Sequence, residues 1–102
     1  MVYRMAVHFT VIRSLRHRGL KRFHERGDSR WLRPDLVTRI SSVLSALDVA
    51  SGPSDLNLPR YRTHPLKGEL EGYWSIAVSG NWRIVFRFWN GDVHDVDLVD
   101  YH

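Results

Sequence analysis

Between Trp82 and Trp89 the chain alternates. Trp82, Ile84, Phe86 and Phe88 are interleaved with Arg83, Val85 and Arg87. A period of two predicts a strand with one face turned to a core. "WNGD" at 89–92 follows, and Asn-Gly accepts the positive φ angles of a type I′ hairpin turn. Residues 73–78 and 92–99 read as the flanking strands, with "SGN" at 79–81 as a weaker turn signal. Counting back from the hairpin sets Trp89 opposite Asp92, Arg87 opposite His94 and Arg83 opposite Leu98. The same parity places Asp100 and His102 on the Arg83 side.

The period changes upstream. Leu36, Ile40, Val43, Leu44, Leu47 and Ala50 follow helical spacing and predict a helix over Pro34–Ser51, ended by Gly52-Pro53. "GLKRFHERG" at 19–27 predicts a short helix with a cationic outer face, its apolar side carried by Leu20 and Phe23. Val11 to Leu15 predicts a first strand. The expected fold is α+β: an N-terminal strand, two helices, then an antiparallel meander with the helices on one sheet face.

At 102 residues this is one domain, and 43% apolar residues can fill a core. The chain has no cysteine, which excludes a disulfide frame and thiolate metal sites and fits a reducing, cytoplasmic setting. No apolar run approaches a membrane span, and the N-terminus has no signal-peptide core. The net charge is +4 but uneven. Residues 1–62 hold twelve Lys or Arg against five Asp or Glu, and residues 63–102 hold three against six. Thirteen of the fifteen cations are Arg, the residue suited to bidentate phosphate contacts. A basic half of this kind favours a polyanion, most often nucleic acid, with an acidic protein as the alternative.

Three constellations carry chemistry. In "YRTHPLKGEL" at 61–70, Pro65 cannot donate to a sheet ladder, so a strand must end or bulge there. His64 before the break could exchange a proton near neutral pH, and Lys67 after it could neutralise a phosphate. An ordinary turn with both side chains solvated is the alternative. Arg83 and Arg87 interrupt a core strand, either as a phosphate clamp or as partners of Glu69, Glu71 or the C-terminal acids. "DVDLVDYH" at 95–102 ends in Asp100, Tyr101 and His102. Asp95 and Asp97 could make a weak oxygen site for a metal, although alternating acids on a solvated edge are commoner. The run "RSLRHRGLKRFHER" at 13–26 reads either as a solvated cationic face or as a dock for RNA or an acidic partner through Arg13, Arg16, Arg18, Lys21, Arg22 and Arg26, with Arg87 as a further RNA-binding candidate. The tryptophans read mostly as core residues, with Trp31, set in a basic loop, the candidate for exposure. His8, His17 and His24 follow no metal or catalytic spacing. There is no Ser-His-Asp set, phosphate-binding glycine loop or zinc spacing.

"HPLKG", "NWR" and a closing "DYH", in that order and spacing, resemble the HigB-type toxins of the RelE/ParE toxin–antitoxin superfamily. The resemblance runs from about Val11 to His102. It implies a microbial-ribonuclease-type fold and cleavage of mRNA held in the ribosomal A site. Attack by the substrate's own 2′-hydroxyl needs no metal or cofactor. It also implies a helix-turn-helix (HigA-like) antitoxin encoded beside the toxin, with operator DNA reached only through their complex and no membrane partner. The matching positions put His64, Lys67, Arg83, Asp100, Tyr101 and His102 in the active site. A ParE-like inhibitor of DNA gyrase is the alternative, and it would not need that set. Residues 1–10, "MVYRMAVHFT", fall outside the resemblance and read as an N-terminal extension, with Val11 an alternative start.

Overall fold

The computed structural model describes residues 11–100. The expectations for residues 1–10, Tyr101 and His102 lie outside the described residues. Helix α1 spans Arg18–Arg26 and helix α2 spans Val37–Val49. The strands are β1 (His64–Pro65), β2 (Tyr73–Ala77), β3 (Trp82–Trp89) and β4 (Asp92–Asp100). They form one antiparallel sheet in sequence order. This is the expected α+β meander.

Each helix has a local reason to start and stop. The His17 Nδ1 accepts the Leu20 N–H at 3.2 Å and caps α1, and Gly27 (φ 71) closes it. The expected helix over Pro34–Ser51 is shorter. Pro34–Leu36 forms a 3₁₀ turn, and α2 ends at Val49. Ala50 is already extended, and its side chain is buried, as is that of Leu56 in the next turn. Tertiary packing therefore ends the helix before Gly52-Pro53 does. Leu20 of α1 and Ile40, Val43, Leu44 and Leu47 of α2 pack with Ile76, Ile84, Phe86, Val93, Val96 and Leu98 of the sheet. Full burial of such side chains stabilises by roughly 1.5–3 kcal/mol each. Trp74 and Trp82 pack against this core, but Trp89 is exposed at the hairpin, against the expectation of a core residue.

The hairpin forms as expected, with Asn90 at φ 55, Gly91 at φ 79 and Trp89 paired with Asp92. The expected register fails further along. Arg87 pairs with His94, but Val85 pairs with Asp97, so Asp95 and Val96 together oppose Phe86. This β-bulge puts Asp95 at φ 56 and shifts every later pair by one residue. Arg83 opposes Val99, not Leu98, and Asp100 opposes Trp82. Asp100 therefore lies on the Trp82 side of the sheet rather than the Arg83 side.

The bulge also explains the first strand. Residues 11–16 run parallel to β4 through two isolated bridges, Ile12 to Val93 and Leu15 to Val96. Between them the Asp95 N–H bonds the Ser14 hydroxyl at 2.8 Å instead of a backbone carbonyl. The expected strand over Val11–Leu15 is thus an extended segment that β4's extra residue interrupts.

Candidate active site and nucleic-acid interface

Pro65 ends β1 after two residues, and β1 is a sheet edge, the place where a missing N–H costs least. His64 pairs with Ser75, which pairs with Val85. Ala77, two residues beyond Ser75, pairs with Arg83. His64, Ser75, Val85 and Arg83 therefore share the sheet face opposite the helices. With strands about 4.8 Å apart and a rise near 3.4 Å per residue, the His64 and Arg83 Cα atoms are roughly 12 Å apart. Two long side chains can converge across that span on one phosphodiester. Lys67 stands exposed at the head of the 3₁₀ turn Gly68–Leu70, directly after the break. The centre of this face is closed rather than bare, because Leu66, Ser75, Ala77 and Val85 are all buried.

His64 is exposed, with Nδ1 at 3.1 Å from the Pro65 carbonyl. In the Nδ1–H tautomer the ring donates to that carbonyl and keeps Nε2 as a proton acceptor. The Pro65 carbonyl can only accept, so this contact favours the Nδ1–H tautomer of the exposed ring.

Several expected RNA-binding cations are tied to the acids of β4. Arg13 pairs with Asp92 at 2.8 Å. Arg87 Nε donates to Asp95 at 2.7 Å, and Arg16 lies 3.7 Å from the same carboxylate. The hydrogen bond from Arg87 is the main cause holding the Asp95 carboxyl below its usual range, and it raises Arg87 in turn. For Arg87, the alternative of pairing with a C-terminal acid is the one realised. It also commits Asp95 to arginines rather than to a metal. Among the described residues, no three acidic or histidine side chains converge as a metal-ligand set.

The other cations cluster on α1. Arg18, Lys21, Arg22 and Arg26 line a hollow of ≈ 290 Å³ with Glu25 and Trp31. The Arg22 guanidinium lies over the Trp31 ring at 4.4 Å, and Trp31 remains 51% exposed. Trp31 was the tryptophan whose loop was basic. Asp28 in that loop is held down to about 2, chiefly by its hydrogen bond from Arg30.

A larger groove went unrecognised in the sequence. It measures ≈ 600 Å³ and is lined by Arg39, Pro59, Arg60, Arg62, the segment 77–80 and Arg83. "PRYR" before "THP" places Arg60 and Arg62 near His64 along the chain, but nothing local links either to Arg39 of α2.

Residues 13–102 match the family model described as the RelE-like toxin of the type II toxin–antitoxin system HigB. The chain belongs to this HigB-like toxin family. It is 46% identical over 92 residues to the endoribonuclease HigB of Proteus vulgaris, covering 90% of this chain and all of that protein. Among solved structures, YafQ from E. coli strain BL21(DE3) is similar at TM-score 0.52 and 14% identity, over 86% of this chain and 92% of that one. A YoeB/ParE toxin from Agrobacterium tumefaciens is similar at TM-score 0.51 and 21% identity, over 81% and 85%. These two likenesses concern the fold. As a toxin of a type II system, this HigB-like chain has an antitoxin as its partner. Among the described residues, no helix is long and apolar enough to cross a membrane.

Proposed function

We propose that this HigB-like toxin is an endoribonuclease that cuts mRNA held in the ribosomal A site, in the cytoplasm. Its 46% identity to the HigB endoribonuclease, over that protein's full length, supports the activity. The observation that carries the chemistry is the common sheet face of His64 and Arg83, with Lys67 at the adjoining strand break.

The substrate supplies its own nucleophile. His64 Nε2 takes the proton of the 2′-hydroxyl, and O2′ attacks phosphorus. Arg83 and Lys67 stabilise the charge that builds on the phosphorane oxygens. The bond to O5′ breaks, and that oxygen receives a proton from His102, leaving a 2′,3′-cyclic phosphate and a 5′-hydroxyl. Tyr101 stacks or positions a base. The α1 cations Arg18, Lys21, Arg22 and Arg26 hold RNA of the message or ribosome, whereas Arg13, Arg16 and Arg87 brace the fold through Asp92 and Asp95. The antitoxin is a helix-turn-helix (HigA-like) protein, and operator DNA is reached through the toxin–antitoxin complex. The ribosome orients the message, which lets so few proton-transfer groups suffice.

Mapping mRNA ends by primer extension in a translating extract tests the reading. Wild type should give new ends at A-site codons. His102→Ala and His64→Ala should each reduce cleavage by about 10²-fold or more. Intact mRNA with folded wild-type protein would remove the nuclease reading and turn attention to DNA gyrase.

A further inference from the structure

The four-arginine groove has more positive charge than the phosphodiester chemistry uses. Arg60 and Arg62 flank buried Tyr61 in the 3₁₀ turn Pro59–Tyr61, so both side chains are turned outward and are exposed. Arg39 reaches the same groove from α2. Its Nη2 donates to the Arg60 carbonyl at 2.5 Å, and its guanidinium lies 5.7 Å from the centre of the Tyr61 ring. Tyr61 is anchored in turn by its hydroxyl, 3.1 Å from the Ser42 hydroxyl. Among the described residues, no acidic side chain lines the groove. Ala77 at the end of β2 and Val78, Ser79 and Gly80 of the β2–β3 turn complete its lining.

Arg62 is held in the left-handed region, at φ 48 and ψ 46. A non-glycine residue adopts that conformation at a cost, and it persists only where its surroundings enforce it. Here the Arg62 N–H bonds Pro59 O at 3.3 Å, and the Thr63 hydroxyl bonds Leu56 O at 2.7 Å. The forced turn sets Arg62 at the groove and His64 two residues later at the sheet edge. A strand of RNA crossing the His64–Arg83 face has a further phosphate to place, and the groove adjoins Arg83.

We propose that Arg39, Arg60 and Arg62 form, beside Arg83, a subsite for the phosphate backbone of single-stranded RNA flanking the scissile bond. The subsite rests on the nuclease reading for the position of that bond, but its phosphate contacts do not require cleavage. The exposed guanidinium groups of Arg60 and Arg62 stand close together, and a polyanion relieves the repulsion between them.

The test is fluorescence anisotropy with the full chain and a short 2′-O-methyl RNA, which cannot be cut because its 2′-oxygen is capped. The Arg60→Gln, Arg62→Gln double variant should bind about tenfold more weakly at low salt. Its slope of log K against log salt should shrink by about 1.4, the value for two lost phosphate contacts on a single strand. Arg62→Lys keeps the charge and should keep the slope. Arg62→Gly relaxes the left-handed residue, so it should melt no lower than wild type and still bind more weakly, separating binding from folding. In the translating extract, the double variant should raise KM with kcat held within about twofold. Wild-type affinity, slope and KM in the double variant would overturn the subsite while leaving a cleaving wild type as a nuclease. Groove-dependent binding by a wild type that leaves mRNA intact would overturn the nuclease reading and keep the phosphate site.

Discussion

Asp95 concentrates much of the local chemistry of β4. It sits at φ 56 in the bulge and accepts from Arg87 at 2.7 Å. The Ser14 hydroxyl lies 3.4 Å from its carboxylate and accepts its backbone N–H at 2.8 Å. Its folded pKa is lowered, so its contribution is full above the ordinary value of 3.8 and fades as pH falls through the lowered one. Asn also tolerates the left-handed region, so Asp95→Asn removes the charge and keeps the turn. The variant should be less stable by ~1 kcal/mol at pH 7, a figure already reduced for solvent screening. The deficit should shrink below about pH 4. Urea unfolding at pH 7 and pH 3 checks this, and an equal deficit at both would remove the electrostatic account. Other residues at this scale were illegible in the sequence. His17 caps α1, and His24 bonds Asp48 at 3.0 Å. These structural roles depend on backbone ends and on partners well separated in the chain, which no histidine spacing encodes.

The elements owe their positions to a few backbone decisions. A Cβ at Gly91 would meet nothing within 4 Å, so the cost of Gly91→Ala is that of placing a side chain at φ 79 in the type I′ turn. It should destabilise by about 1 kcal/mol. Gly19 differs: a Cβ there would lie 2.9 Å from His17 Cε1, 2.9 Å from Leu32 Cδ2 and 3.0 Å from the Trp31 carbonyl oxygen. Gly19→Ala should cost roughly 1–3 kcal/mol by overpacking the contact between α1 and the following loop. Thermal melts of both variants separate the two causes, because Leu32→Ala should partly rescue Gly19→Ala and leave Gly91→Ala unchanged. The order of the two costs would reverse if turn geometry, rather than close packing, were the tighter constraint.

Across the whole molecule, the basic first part and acidic last part answer each other. Residues 11–16 lie along β4, and Arg13–Asp92 and Arg16–Asp95 join the two. Part of the charge asymmetry is thereby used within the fold. What remains outward lies on α1 and around the arginine groove. Lys21 and Arg26 are exposed, and no acid among the described residues pairs with either. Lys21→Glu with Arg26→Glu should leave the melting temperature within a few degrees and weaken co-sedimentation with ribosomes by at least about tenfold at low salt. The loss should narrow as salt rises. Undiminished sedimentation would assign those cations to the antitoxin or to solvent.

The sequence by itself determined the elements and their kind. Periods of two and of 3.6, Asn90-Gly91 and Pro65 act over a few residues, so the hairpin, both helices and the end of β1 were legible. The motifs around His64, Lys67 and Arg83 were legible for the same reason. Tertiary structure decided what those elements bring together. One extra residue at Asp95 moved Asp100 to the opposite side from Arg83, because a strand's facing depends on every pair between it and the turn. Packing joined Arg39 of α2 to Arg60, Arg62 and Arg83 in one groove. Such contacts arise where distant segments close on a shared core, and no spacing along the chain records them.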